Sequence, residues 1–477
     1  MNTSKWNMGL APLRSVPGGA IVIIIGLGLA AFAGVFASLF TAAIGPRVML
    51  LAALPVAVAL GLVLVLSWEM LLLLVVLFRT DLDPVLNLTK IGEGGAGIGL
   101  GGLMNALVIA LLVLALFKKS ETAWRELRVV WGPFLVMAII TVPGTPLLIS
   151  AIKNNLDFIS YAAMYILPIV LVKQKKDHDR WVKWVLWSAA GPVLYGLYQV
   201  ATHQGFGSVD HEDEGFRIAG TFTHPNIYAF YLMLIACMLF SVYRGGLIIV
   251  TPRVKRLLPI AIVTVLTLLL FTKTRSAWAA TALFFLAYSV FIERKMLPWV
   301  LLAGLLALCV PEVRDRITDL ATGNTHVMYQ RLNSYAWRKL VWTSSLSYMT
   351  ADHYILGYGR ASFEYFSNIF FPLANGESPA AHSVYIQLLF ESGIVGVLSF
   401  VWLLFSTAKR VLKLYKIDRI EAFLITMTIV QYALACYSDN MLDYLVFNWY
   451  FWFVAGLGTS LLWLKHQEKE VRDGVPE

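Results

Sequence analysis

Long apolar runs alternate with short polar ones along almost the whole chain. The runs lie at 20–43, 48–65, 67–79, 96–117, 129–147, 156–172, 184–200, 226–243, 257–272, 276–292, 296–310, 384–408, 420–437 and 445–464. Most approach the ~20 apolar residues that a helix needs to cross hydrocarbon. A helix satisfies its own backbone hydrogen bonds, so it is the natural spanning element for such runs. The pattern therefore predicts an all-α polytopic membrane protein with about fourteen (12–14) transmembrane helices. The stretch 48–79 is the irregular one: its second run is short, and it reads as two spans or as a tilted or re-entrant pair. The first run follows Lys5 and Arg14 without a small-residue cleavage site, so it is expected to be a retained helix.

The polar positions orient this array. Basic residues concentrate in four short connections, Lys118 to Arg128, Lys173 to Lys183, Arg244 to Arg256 and Lys409 to Arg419. Counting spans places all four on one side, which the positive-inside rule makes cytoplasmic, together with both termini. The opposite side, periplasmic in a cell with two membranes, receives two long connections. One runs from Ala201 to Pro225. The other, 311–381, is large, polar and aromatic, and is expected to be partly helical. The whole chain, 1–477, reads as one integral membrane domain.

Composition agrees. Of 477 residues, 58% are hydrophobic and only 14% charged, where a soluble domain carries about a quarter charged residues. The net charge of +9 raises the question of nucleic acid, but the positives sit in short connections between spans, so no nucleic-acid partner is expected. Cys237, Cys309 and Cys436 are far apart and show no metal or disulfide spacing. The glycine run Gly92 to Gly102 matches GxGxxG twice, yet it opens a membrane span where a dinucleotide site needs a preceding strand. Close helix packing through Gly97 and Gly101 is the better reading.

Candidate chemistry gathers at the outer mouths of spans. Arg217 precedes the span that begins near Asn226 in "GFRIAGTFTHPN". Arg275 lies in a tight hairpin, "TKTRSAW", on the side where basic residues are disfavoured, and charges that break the general pattern are functional candidates. His224 is either a helix-start residue or a substrate contact, with Asn226 available as a cap. His382 opens the span that closes the large connection, and its ordinary pKa suits proton transfer near neutrality. Glu391, nine residues on inside the apolar run, is expected to hydrogen-bond to a neighbouring helix, since a buried carboxyl needs a partner. Within the large connection, "YQRLNSYAWRKLVWTSS" places Arg331, Arg338 and Trp342 on one helical face. That face suits a sugar phosphate, or equally a helix lying on lipid headgroups. Gly357 and Gly359 mark a turn beside Arg360. Asp439 and Asp443, in the last outer hairpin, could hold a cation; pairing with the outer arginines is the favoured reading.

Taken together, "R-x-x-G-x-F-x-H-P-N" from Arg217, "T-R-S-A-W" around Arg275, the series Arg331, Trp337, Gly357 to Gly359 and Phe363, and "H-S-x-Y-x-Q-L-L-F-E-S-G-I-V-G" from His382 resemble the O-antigen ligase and polysaccharide polymerase family. The resemblance spans residues 201–400. Ser383 stands where the family more often has Asn, and the family usually shows about twelve spans. The resemblance implies a glycosyltransferase of the bacterial inner membrane, acting on the periplasmic face in surface polysaccharide assembly. It implies a donor glycan on undecaprenyl pyrophosphate and an acceptor that is another lipid-linked glycan or lipid A core. No nucleotide sugar, cofactor or metal is expected. Membrane lipids, and other polysaccharide-assembly proteins, are the further partners.

On this reading His382, Arg275 and Arg217 are catalytic, and Arg331, Arg338, Trp342, Arg360 and His224 bind substrate. Arginine forks suit a pyrophosphate leaving group, and a histidine suits the acceptor proton. The two extra spans lean toward a polymerase over a ligase. A lipid-linked oligosaccharide flippase is the alternative of another class. It would need charges along a central cavity and internal repeats, whereas here the polar groups collect on one face.

Overall fold

In the computed structural model, the described residues are 67–88, 100–117, 120–211, 215–311, 313–315, 318, 334–374, 376 and 378–473. They are overwhelmingly helical. The chain divides into two compact units, 1–74 and 75–477. The first is described only over its last residues, 67–74, which begin helix α1 (Trp68–Phe78). Short α2 (Asp83–Leu88) follows. Then come α3 (Leu100–Phe117), α4 (Glu121–Gly144), α5 (Leu148–Leu171), α6 (Lys175–Trp187) and α7 (Ala190–Thr202). After a two-stranded hairpin come α8 (Pro225–Gly245), α9 (Pro252–Phe271), α10 (Arg275–Phe291) and α11 (Leu297–Leu308). The segment that follows holds α12 (Ser334–Tyr348) and α13 (Phe363–Phe370). Helices α14 (Val384–Lys416), α15 (Arg419–Ser438) and α16 (Leu445–Asp473) complete the fold.

Eight of these helices are long and apolar enough to cross a membrane: α3, α4, α5, α8, α9, α14, α15 and α16. Three further expected spans form shorter helices, α1, α10 and α11. The expected spans 20–43 and 48–65, and Gly92 to Gly99 of the glycine run, lie outside the described residues.

The expected span 184–200 is divided between α6 and α7, and the cause is local. Pro192 has no N–H for the carbonyl four residues back and its ring crowds that carbonyl. That carbonyl, on Ser188, accepts instead from Thr80 Oγ1 at 2.9 Å.

The centre of the bundle is α16. Its most apolar window is 94% buried, against 28% for α9 at the periphery. A helix that is apolar all round belongs inside, and this one carries Trp449, Tyr450, Phe451, Trp452 and Phe453 in succession. It packs along α5, where a Cβ on Gly456 would stand 2.3 Å from the Tyr165 carbonyl oxygen. Buried aromatic polar tips find partners: Trp449 Nε1 donates to Ser160 Oγ (2.9 Å) and Tyr161 Oη to the Leu442 carbonyl (2.8 Å).

Two features position the site. The segment 201–225, read from sequence as a loop, contains an antiparallel pair, β1 (Val209–His211) with β2 (Gly215–Arg217), in the register Val209 opposite Arg217. Ile218 N–H then donates to the Phe271 carbonyl at 3.3 Å, which ties this hairpin to the end of α9.

The second feature is a break in α14 at Gly393, whose φ of 63° and ψ of −162° are non-helical. There, residues 354–359 exchange main-chain hydrogen bonds with the opened helix. Tyr358 N–H donates to the Phe390 carbonyl and Gly359 N–H to Glu391 (both 2.9 Å), while Ile394 N–H donates to Tyr354 (2.9 Å). Side chains from both partners close a small core of Val341, Tyr358, Phe363, Phe371 and Phe390 over this junction.

Candidate active site

The site lies where four connections meet: β2, the turn between α9 and α10, the start of α8, and the hairpin between α15 and α16. Arg217, at the end of β2, is half-buried. Its Nε donates to the Thr272 carbonyl (2.9 Å), and its Nη2 to Asn226 Oδ1 (2.8 Å) and Thr274 Oγ1 (3.3 Å). Thr274 is the N-cap of α10, whose first residue is Arg275. The three-residue turn, with Lys273 at a left-handed φ of 54°, sets Arg275 next in the chain to the Thr274 that Arg217 bonds.

His224 is the N-cap of α8. Its Nδ1 accepts from Asn226 N–H at 3.1 Å, and the side chain is exposed. The residue expected to cap, Asn226, does something else. Its carbonyl oxygen accepts from Arg217, and its amide donates to Asp439 Oδ2 at 3.1 Å. Pro225 between them explains the exchange, since it fills the first helical position and sets Asn226 inside the first turn, facing the bundle.

Asp439 is buried. It also accepts from Tyr444 Oη and, at 3.2 Å, from Asn440 N–H. Burial pushes its carboxyl up, while the Tyr444 hydroxyl, Arg338, the Asn440 N–H and Arg217 pull it down. Asn440 Oδ1 in turn accepts from Ser383 N–H at 3.0 Å. An unbroken chain, Arg217–Asn226–Asp439–Asn440–Ser383, therefore runs to the residue beside His382.

His382 has a left-handed φ of 47°, a conformation that costs a residue with a Cβ about 1–3 kcal/mol. The strain is held by the Ser383–Asn440 bond on one side. On the other, Trp342 Nε1 donates to the Ala381 carbonyl at 2.7 Å. The imidazole stands edge-on to Trp337 with ring centroids 5.7 Å apart, and its Nδ1 has no hydrogen-bond partner among the described residues. Burial, then the charges of Arg338 and His224, push its pKa down to about 4. The sequence suggested no such tuning. A neutral imidazole at pH 7 accepts protons and does not repel cations beside it.

Of the expected site residues, the structure groups Arg217, Arg275, His224, Arg338, Trp342 and His382 here. Arg331 lies outside the described residues. Arg360 lies elsewhere, 1% exposed, under the loop junction. It forms a buried ion pair with Glu391, meets Asp443 at 3.5 Å, and lies 4.8 Å over the Phe158 ring. This supplies the partner that Glu391 needs, from the large connection and not from a neighbouring span. Asp443 meets the buried Arg360 and not one of the span-mouth arginines, and Asp439 reaches Arg217 only through Asn226. Gly357 and Gly359 mark more than a turn: a Cβ on either would fall 2.4 Å from the Glu391 backbone or 2.2 Å from that of Thr145.

Sequence reasoning did not find Asn226, Asn440, Tyr444 and Trp337 as site groups. For Asn226, Asn440 and Tyr444 the signal was position, each a polar or aromatic residue at a span mouth, whereas Trp337 lies within α12 of the large connection. No group of three or more His, Cys, Asp or Glu among the described residues is arranged to hold a metal ion.

Residues 260–401 match the O-antigen ligase family. The matched stretch begins within α9 and ends within α14, so it contains Arg275, Arg338, Trp342, Arg360 and His382, while Arg217, His224 and Asp439 fall outside it. No curated protein matches the chain. The long apolar helices are those of a multi-pass membrane protein, and its stretch 260–401, which carries Arg275 and His382 at span mouths, is similar to the O-antigen ligase family, whose members are enzymes of the ligase or polymerase type.

Proposed function

We propose that the protein transfers a glycan from undecaprenyl pyrophosphate to a sugar hydroxyl of an acceptor, on the periplasmic face of the inner membrane, with both termini cytoplasmic. The observation that supports this reading is the hydrogen-bonded chain that runs from the span-mouth arginine Arg217 to Ser383, the neighbour of a strained, neutral histidine.

In the proposed step, Arg217 and Arg275 hold the pyrophosphate. Their forks neutralise charge as the bond from the anomeric carbon to the phosphate oxygen breaks. His382 takes the proton of the acceptor hydroxyl as its oxygen forms the new glycosidic bond from the opposite face. The products are an inverted glycoside and undecaprenyl pyrophosphate, and no metal enters the step. Arg338 and Trp342 present a cation and an aromatic face to the sugars, and Arg331 belongs to the same proposed surface. Asp439 is a positioning residue: it fixes Asn226 and the hairpin that seats Ser383.

The test is mutational. Arg275→Ala and His382→Ala should each leave expression and membrane insertion intact and abolish long polysaccharide on a gel. Loss of one phosphate arginine is expected to cost on the order of 3 kcal/mol, about a hundredfold in rate. Normal polymer from both variants would overturn the assignment. Purified protein given undecaprenyl-linked repeats, with and without lipid A core, separates the two acceptors. Chain growth without core marks the polymerase that the sequence leans toward, and transfer only to core marks a ligase.

A further inference from the structure

A second site lies at the far end of the same helices. α14 begins beside His382 and carries Lys409, Arg410 and Lys413 some twenty-five residues later, roughly 37 Å along a helix. α4 and α16 run likewise: Thr141 and Asp443 lie near Arg360, whereas Arg125 and Trp463 lie at the opposite ends. These distant ends enclose a cavity of about 320 Å³, within the usual size range of ligand pockets. Its charged lining is Arg125, Lys409, Arg410, Lys413 and Glu126. Its apolar lining includes Trp402, Phe405 and Trp463. Two of the four basic connections seen in the sequence thus converge on one pocket.

The charges are not equivalent. Glu126 is buried and committed: it pairs with Arg410 and accepts from Tyr165 Oη at 3.3 Å, and Tyr165 in turn meets Thr459 at 3.1 Å. That network braces α4, α5, α14 and α16 behind the pocket. Arg125, Lys409 and Lys413 are exposed and form no ion pair among the described residues. Arg125 lies 4.5 Å over the Trp463 ring and Lys409 5.9 Å from the Phe405 ring. The adjoining groove adds Arg128 and Glu121, whose charges offset.

We propose that this pocket binds the phosphate headgroup of an anionic glycerophospholipid. Arg125, Lys409 and Lys413 would face the phosphate, with the acyl chains running down the apolar wall of Val129, Trp402 and Phe405. Three features select that occupant. The excess is positive, the cations sit at the ends of membrane-spanning helices where headgroups lie, and aromatic side chains line the boundary between them and hydrocarbon. A soluble anion has no use for the apolar wall, and a zwitterionic headgroup gains little from three unpaired cations.

The experiment uses the purified full chain, stripped of lipid in detergent, with phosphatidylglycerol or phosphatidylethanolamine added and bound lipid read by native mass spectrometry. Phosphatidylglycerol should bind in preference. The double variant Lys409→Gln, Lys413→Gln should weaken it about thirtyfold, at about fivefold per cation. Lys409→Arg with Lys413→Arg should retain it. Lys255→Gln with Arg256→Gln, an equal loss of charge at another basic connection, should also retain it. Thermal unfolding of each variant checks that it is folded. Equal binding of both lipids, displacement by inorganic phosphate, or an equal loss in the Lys255, Arg256 variant would overturn the proposal.

Discussion

At the scale of the residue, His382 is the informative group. Its imidazole is held neutral chiefly by burial, with Arg338 and His224 adding to the effect, and the sign of the consequence follows. A histidine whose folded pKa lies below its ordinary 6.5 binds protons less readily than the unfolded chain does. Stability therefore falls as pH drops from about 6.5 through about 4. If His382 is the base, the acid limb of kcat/KM should lie near pH 4. Arg338→Met removes one of the charges that depress it and should move that limb to higher pH. Arg338→Lys should not, and an unmoved limb in Arg338→Met would assign the limb to another group.

Much of this was legible in the sequence, because Arg217, Arg275 and His382 stand as isolated polar groups beside apolar runs. The role of Asn226 was not. A carboxamide after proline reads as a cap, and only the fold shows that His224 has taken that place and freed Asn226 to bridge an arginine to an aspartate more than two hundred residues away.

At the scale of the element, the junction between residues 354–359 and the opened turn of α14 decides how the large connection is held. A Cβ on Gly393 would stand 2.2 Å from the carbonyl carbon and oxygen of Ile355, at a φ that already disfavours side chains. Gly393→Ala should lower the unfolding temperature and expose the segment 334–374 to protease, the strain alone costing about 1–3 kcal/mol.

The ion pair beneath the junction can be separated from catalysis. Arg360→Ala leaves Glu391 buried without its partner and should cost about 3–5 kcal/mol of stability. Arg360→Met with Glu391→Met should recover most of it. Should Arg360 also bind substrate, the stable double variant would remain inactive in polymer assays; full activity would confine Arg360 to holding the fold. The glycines of this junction were readable as punctuation. Their pairing was not, since it joins stretches about thirty-five residues apart through main-chain atoms that carry no side-chain signature. The division of 184–200 escaped for a similar reason: Pro192 sits in an apolar run, and the competing donor, Thr80, comes from far upstream.

At the scale of the whole molecule, the chain gathers two groups of charged side chains at opposite ends of shared helices. The helical character and the multi-pass plan were plain from the apolar runs. The number of crossings was not, because apolar runs such as 276–292 and 296–310 form helices of 17 and 12 residues, and periodicity does not reveal where a helix stops. The proposed orientation is testable on the unmodified protein. Cys309 is exposed at the end of α11, on the side of the large connection, while Cys237 and Cys436 are buried. A membrane-impermeant maleimide should label the wild type in spheroplasts and not in inside-out vesicles, and Cys309→Ser should abolish the signal. Labelling from the cytoplasmic side would invert the topology.

The main-chain seam at Gly393 also bears on how such a protein can vary. Hydrogen bonds between backbones do not read side chains, and Ile355 and Leu356 project outward, 63% and 44% exposed. Their identities can drift at little cost. Spacing cannot: one residue inserted between Tyr354 and Gly359 would throw each pairing out of step and carry Gly357 and Gly359 away from the backbones they must approach. The stretch therefore works as a ruler, indifferent to spelling and strict about length.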